Sequence, residues 1–183
     1  MSEENLIIYC SPTLAGIKTG SLFTCQCSCP DSFYKAVWNL NRRLIPKGIR
    51  ILPLRFSRGK VLIYVYRPSG LQRDLSEARA QQLLENHGYC PGNCQTCLAQ
   101  LARKLRQNEE FPHEIGLFLG YPAEDVAGFI DNKALNCKCV GTWKVYGDEI
   151  SARKRFEQYK KCSAVYTQCW KRGFPLERLT ITR

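Results

Sequence analysis

Val61-Leu-Ile-Tyr-Val-Tyr-Arg67 is apolar on both alternating sides up to its final arginine. Val61, Ile63 and Val65 point one way, and Leu62, Tyr64 and Tyr66 the other. A strand that must shed water from both faces belongs in the middle of a covered sheet, so the chain needs a sheet with further layers packed on it. Ile49 to Phe56 is a second strand, and Ser57-Arg-Gly-Lys60 between the two has hairpin spacing. Leu6 to Cys10 is a short apolar run that stops at Ser11-Pro12 and reads as a buried strand.

Helical stripes fill much of the remainder. Phe33, Val37, Leu40 and Leu44 line one side of a helix that opens at Pro30-Asp31-Ser32 and closes near Pro46-Lys47-Gly48. Leu71 to Asn86 reads as a helix ahead of Gly88, and Cys94, Leu98, Leu101 and Leu105 stripe another. Phe111 to Ile130 is apolar but rich in Gly and Pro, which predicts two short helices broken at Tyr121-Pro122. Cys137 to Tyr146 reads as a strand and Ser151 to Arg172 as a long helix striped by Ala152, Phe156, Tyr159, Ser163, Tyr166 and Trp170. Leu176 to Ile181 is a candidate last strand. The expected fold is α+β, a single domain over 1–183, with a mixed or mostly antiparallel sheet of about four to five strands packed with about five helices.

The chain has 183 residues, is 44% hydrophobic and carries a net charge of +11, which excludes a largely disordered chain, and its patterning excludes a collagen or a coiled coil. No apolar run is long enough to span a membrane, and the acidic start Met1-Ser-Glu-Glu-Asn5 does not read as a secretion signal. A cytoplasmic, reducing setting follows, in which the eleven cysteines are thiols or metal ligands and not a disulfide framework.

The charge is segregated. From Ser32 to Arg73 there are ten bases (Lys35, Arg42, Arg43, Lys47, Arg50, Arg55, Arg58, Lys60, Arg67 and Arg73) and no acid. From Asp74 to Asp131 nine acids meet four bases. A face so built suits an anion, whether a small molecule, nucleic acid or an acidic partner; a solvated basic surface is the plain alternative. Arg58-Gly-Lys-Val-Leu-Ile-Tyr-Val65 echoes the aromatic strand of RNA-recognition modules. Lys60 and Leu62 stand where that motif needs aromatics, so nucleic-acid binding rests here on charge alone.

Two cysteine clusters are metal candidates. Cys90, Cys94 and Cys97 have the C-x3-C-x2-C spacing of cluster-binding radical enzymes, although the motif sits mid-chain between two helices and not after an early strand. Cys25, Cys27 and Cys29 alternate ahead of Pro30 in an expected loop, where zinc or an iron–sulfur cluster is chemically suited, with Cys137 and Cys139 as additional donors. Cys162 and Cys169 share a helix face and read as structural. Cys10, at the end of its expected strand, is a candidate nucleophile, and a helix beginning after it together with Lys18 would favour a thiolate or a bound anion. His113, one of two histidines, is the leading acid/base candidate with its neighbour Glu114. His87, before Gly88, reads as a helix-end charge. Arg67 is an anion clamp or the partner of a carboxylate, and Glu124 and Asp125, set among apolar residues, must be paired, capping or solvent-facing.

Four stretches, Cys10-Ser-Pro-Thr-Leu-Ala-Gly-Ile-Lys18, Val65-Tyr-Arg-Pro68, Phe111 through Ile130 and Trp143-Lys-Val-Tyr-Gly-Asp148, together resemble the bacterial family catalogued as domain of unknown function 3793. The resemblance implies a single-domain cytoplasmic protein of anaerobic bacteria, encoded near flavodoxin and ferrous-iron transport genes, so that a flavodoxin is a candidate redox partner. The family pattern centres on Cys10 and the His113-Glu114 segment. It does not take in all of the Cys25–Cys29 and Cys90–Cys97 clusters.

The leading functional expectation is a thiol-based redox or iron-linked metal-handling protein. The alternatives are an enzyme acting on a small anionic substrate, with Cys10 as nucleophile, His113 as acid/base and Lys18 and Arg67 holding the anion, or a nucleic-acid or acidic-partner binding module using the basic face.

Overall fold

The computed structural model describes residues 1–107 and 111–182; Glu109 and Glu110, two of the acids counted above, lie outside the described residues. The fold is α+β. Its strands form a three-stranded and a two-stranded sheet, both antiparallel, and among the described residues there are eight α-helices, more than the number expected. Packing divides the chain into two compact units, Met1–Gly70 with Tyr159–Arg183, and Leu71–Gln158. No helix among the described residues is long and apolar enough to cross a membrane.

The first unit opens with helix α1 (Glu3–Leu14), where a strand was expected. Ser2 and Asn5 close a capping box, Glu3 and Glu4 complement the first-turn N–H groups, and burial alternates with helical period: Leu6 and Ile7 in, Ile8 and Tyr9 out, Cys10 and Ser11 in. A five-residue apolar window cannot separate that period from a buried strand. Pro12 does not end the helix, because it sits in the last turn and removes only the bond to the carbonyl of exposed Ile8.

Strand β1 (Gly20–Gln26) has no counterpart in the sequence reading, which placed its one cysteine, Cys25, in a loop. Helix α2 (Pro30–Leu44) buries Phe33, Val37, Leu40 and Leu44 as the stripe predicts. A 3-10 turn, Ile45–Lys47, then closes at Gly48, whose φ of +76° lies in the left-handed region. Strands β2 (Arg50–Ser57) and β3 (Lys60–Tyr66) form the expected hairpin over Arg58-Gly59, both at positive φ, and the strand order β1-β3-β2 puts β3 in the centre. Pro53 is tolerated because β2 is an edge strand with a register shift between Pro53 and Arg55. Asn41 covers that edge: its Nδ2 donates to the Ile51 carbonyl at 2.9 Å, and its Oδ1 accepts the Ile51 N–H at 2.8 Å. The core of this unit joins α1, α2 and the inner face of β3 to Leu176 and Leu179, which lie in turns and not in a last strand.

In the second unit the expected helix from Leu71 to Asn86 is two, α3 (Pro68–Leu75, beginning in the first unit) and α4 (Ala78–Asn86). The Ser76 hydroxyl folds back onto the Arg73 carbonyl at 2.7 Å and ends the first. Helix α5 (Cys94–Gln107) follows, with Asn93 accepting first-turn N–H groups. Helices α6 (Ile115–Phe118) and α7 (Ala123–Asp131) are broken at Tyr121-Pro122 as read from sequence. Cys137 to Tyr146 is not one strand but a small hairpin, β4 (Cys139–Val140) and β5 (Lys144–Val145). Its tight link needs Gly141, where a Cβ would stand 2.2 Å from the Phe156 ring. Phe156 belongs to helix α8 (Glu149–Lys171), whose residues from Tyr159 onward belong to the first unit.

Candidate functional site

Helices α6 and α7 and the β4–β5 hairpin enclose a cavity of about 390 Å³, within the range of small-molecule sites. Its walls are aromatic. Tyr121 stacks on Trp143 with ring centroids 4.9 Å apart, while Phe129 meets His113 edge-on at 5.1 Å and Phe111 adds a partly exposed ring. Gly116 lines the floor, where a Cβ would lie 2.8 Å from Val126.

One buried carboxylate organises these walls. Asp125, on the first turn of α7, accepts the Trp143 indole N–H at 2.7 Å through Oδ2, and the Tyr146 and Gly147 N–H groups, each at 2.7 Å, through Oδ1. Burying a carboxylate demands such partners, and here they fix the indole plane and the strand end that carries Lys144. The Lys144 ammonium donates to the Ala134 carbonyl at 2.8 Å and lies 6.0 Å from the centre of the Phe129 ring. Glu124, next to Asp125 in the chain, is half-exposed and accepts the Asp148 N–H at 3.3 Å. The site thus offers flat apolar faces, one ammonium and one imidazole.

His113 lies on the cavity wall and is exposed. Glu114, paired with it in the sequence reading, turns away into a buried network outside the lining. It accepts from Lys104 Nζ at 2.9 Å and from the Tyr89 hydroxyl at 3.0 Å. Lys104 also donates to the His87 carbonyl at 2.6 Å and sits 4.3 Å from the Tyr89 ring centre. Burial, the largest single influence, would raise the Glu114 carboxyl, but the hydrogen bond and charge of Lys104, a backbone N–H and the Tyr89 hydroxyl together outweigh it and hold the group below its ordinary value. The pair therefore ties α5 to the segment between His113 and Ile115.

Cys10 belongs to the first unit, and His113 and Glu114 to the second. Cys10 has no exposed surface, and burial pushes its thiol up to about 12 against the opposing pull of Lys18 and Ser21. Burial likewise lowers Lys18 to about 8, with the neighbouring Cys10 acting to raise it. The two groups therefore act on one another electrostatically, but for each of them burial is the larger influence. The expectation of a helix start after Cys10 is corrected by α1, which ends at Leu14, so Cys10 sits inside a helix with no spare N–H groups and stays protonated at neutral pH. Arg67 is buried beside the C-terminus of α1, which has no basic residue of its own in its last turn. Its guanidinium donates to the carbonyls of Thr13, Leu14, Lys47 and Ile181, at 2.8, 2.7, 3.3 and 2.7 Å, and so serves as that helix's cationic cap.

The cysteine clusters do not close on an ion. Among the described residues, no three His, Cys, Asp or Glu side chains are grouped so as to hold one metal. Cys94 and Cys97 lie on the buried stripe of α5 with Leu98 and Leu101, and burial raises both thiols, while Cys90 is exposed and its sulfur faces the Gln100 amide at 3.7 Å. These donors do not fit a zinc ion or an iron–sulfur cluster as arranged; two of the three pack as small apolar groups. Cys25 and Cys27 pack against the first unit's core, and burial raises Cys25. Cys29 is different. It is exposed at the N-cap of α2, where the Ser32 backbone N–H lowers its pKa, while the Ser32 hydroxyl donates to the Cys29 carbonyl at 3.0 Å.

Sequence reasoning missed Lys144, Trp143 and Phe129 as site residues. The signal was there in two parts, because the Phe111–Ile130 and Trp143–Asp148 stretches are the ones that Asp125 joins. Residues 6–180 match a family described as "Protein of unknown function (DUF3793)". The chain belongs to the DUF3793 family. Neither a curated protein nor a solved structure matches it. Within the DUF3793 match fall all of the cavity wall, Asp125, and both buried networks of the second unit.

Proposed function

We propose that the second unit is a binding site for a small planar heteroaromatic molecule that carries an acidic group. The observation that carries this reading is the cavity itself, walled by the Tyr121–Trp143 stack and Phe129, with Lys144 on the rim. Flat rings gain dispersion and burial between such walls, and an ammonium beside them favours an anionic substituent. Asp125 does not repel the ligand's charge strongly, since both of its oxygens are already engaged by donors. His113, on the exposed side, is the group able to exchange a proton with a bound molecule, which keeps the enzyme reading within the same site.

The test compares matched acid and neutral ligands on the full chain by Trp fluorescence and thermal shift: nicotinate against nicotinamide, indole-3-carboxylate against indole, and flavin mononucleotide against riboflavin. The acid of at least one pair should bind more tightly. Lys144→Met should abolish most of that preference, by roughly tenfold for a hydrogen-bonded charge. If no pair binds, or if K144M leaves the preference intact, the reading fails.

A second reading is favoured by Cys29. An exposed thiol with a lowered pKa at a helix start has the setting of a reactive cysteine, and it keeps the thiol-based role while moving it from Cys10 to α2. Iodoacetamide at neutral pH should label Cys29 ahead of the other ten cysteines, with Cys10 unlabelled until the chain unfolds. Equal labelling of Cys29 and Cys90, both exposed, would remove it.

A further inference from the structure

The first unit carries a surface that neither the cavity nor the thiols use. Tyr34, Trp38 and Arg42 on α2, continued by Ile45 in the 3-10 turn that follows, form a stripe about a quarter-turn from the buried one, and it faces solvent: Trp38 is 60% exposed, Tyr34 52% and Ile45 45%. Phe56, on the edge strand β2, extends the stripe, with its ring 5.3 Å from that of Tyr34. The Arg42 guanidinium lies 5.3 Å from the centre of the Trp38 ring. Three large aromatic faces in a row on the surface are a departure from what solubility favours.

The charge around them is mostly positive. Lys35 and Arg42 lie on the helix, Arg58 and Lys60 in the adjoining hairpin, and all four are exposed. The first acid of the helix, Asp31, lies at its start, and no other acid occurs before Asp74. Two other bases of that tract are engaged by acids elsewhere, Arg43 by Glu3 and Glu177, and Arg73 by Asp74. An acidic protein would answer the charge but would leave the rings unmatched, and an apolar helix would answer the rings against the charge. A single strand of nucleic acid presents both phosphates and unpaired bases with open π-faces.

We infer that the Tyr34–Trp38–Phe56 face binds single-stranded nucleic acid, stacking bases on the exposed rings while Lys35, Arg42 and Arg58 hold the phosphates. The site is separate from the cavity of the second unit, so it stands or falls without that reading. The sequence alone rested any such binding on the charge of the tract from Lys35 to Arg73, since Lys60 and Leu62 on β3 are not aromatic; the exposed rings lie on α2 and the neighbouring edge strand.

The test measures fluorescence anisotropy of a labelled oligothymidylate of about fifteen nucleotides, a length that covers one stacking platform, over a series of salt concentrations. A duplex of equal length and polyglutamate are the controls. The single strand should bind tightest, with affinity falling steeply in salt. Trp38→Ala should weaken it roughly tenfold, as loss of one stacked base does, while Trp38→Phe keeps most of the affinity. Arg42→Gln should weaken binding and flatten the logarithmic salt slope by about 0.7, the contribution of one phosphate contact on a single strand. Equal binding of duplex or polyglutamate would reduce the face to charge alone and overturn the proposal. So would W38A binding as tightly as the parent, or failing to fold, which would put the ring in the core. Loss in W38A of a self-association seen by sedimentation, in a parent that does not bind the oligonucleotide, would make a second copy of the chain the occupant and overturn it too.

Discussion

Trp38 and Trp143 stand in opposite relations to their surroundings. Trp143 is 7% exposed, its N–H is held by a buried carboxylate, and its ring is closed between Tyr121 and Phe156. Trp38 is 60% exposed, and its contact partner is a guanidinium on the next turn of the same helix. The second unit turns its rings inward around a space of about 390 Å³; the first turns them outward along a helix. The difference lies in which part of the ligand each can enclose. An inward set limits the ligand to a small molecule and must be held open by buried polar anchors, whereas an outward set needs no anchor and has no end wall, so it suits a chain.

Asp125 is where that contrast breaks most readily. Asp125→Ala leaves the buried Trp143 indole N–H and two half-buried backbone N–H groups without their acceptor, a buried orphan costing about 1–3 kcal/mol. Thermal or urea unfolding of D125A should show a loss of about 3 kcal/mol or more, with planar ligands no longer bound. An unchanged midpoint would mean that the walls are held by packing alone, and the inward set would then differ from the outward one only in burial.

How much of this was legible beforehand depended on the length of each pattern. The α2 stripe runs over four apolar positions and β3 over seven residues, and both were read correctly, as was the break at Tyr121-Pro122. Leu6–Cys10 is too short to distinguish a helix from a strand, and the capping box at Ser2 and Asn5 that decides it has asparagine where glutamate or glutamine is usual. β1 was hidden because Cys25 in it and Cys27 just after it, apolar in their packing, were read for their chemistry. At the cavity, His113 stood out because histidine is rare in this chain, and of the three states open to Asp125 in the sequence, paired, capping or solvent-facing, the structure shows the paired one. Lys144 and Phe129 were not found, since one lies in a hairpin read as a single strand and neither carries a motif. The Glu114 assignment followed its adjacency to His113, but neighbours in a turn point in different directions.

Acid sharpens the comparison at intermediate cost. Glu114 has a folded pKa below its ordinary 4.5, so its contribution is fully present above pH 4.5 and is lost as pH falls through the lower folded value, where the native state takes up a proton that the unfolded state already holds. Because its ion pair fixes the wall between His113 and Ile115, ligand binding by the second unit should fail on acidification together with part of the stability. Glu114→Gln should reproduce this at neutral pH with a loss of about 1–3 kcal/mol and should flatten the acid limb of the unfolding profile. An E114Q chain with the parent's acid limb would assign that limb to other carboxylates and detach the network from the cavity.

The smallest expected effect is on the outward ring. Trp38→Ala removes an exposed side chain and one cation–π contact, so the urea midpoint should move by no more than about 0.5–1 kcal/mol. The same variant should nevertheless change the emission markedly. Iodide, an anion drawn toward Arg42, should quench Trp38 while leaving Trp143 nearly untouched, and W38A should lose most of the iodide-quenchable intensity. A large stability loss in W38A, or iodide quenching in W38A as strong as in the parent once the half-buried Trp170 is replaced by Phe in both, would show that this ring is packed after all, and the two units would then use their aromatic residues in the same way.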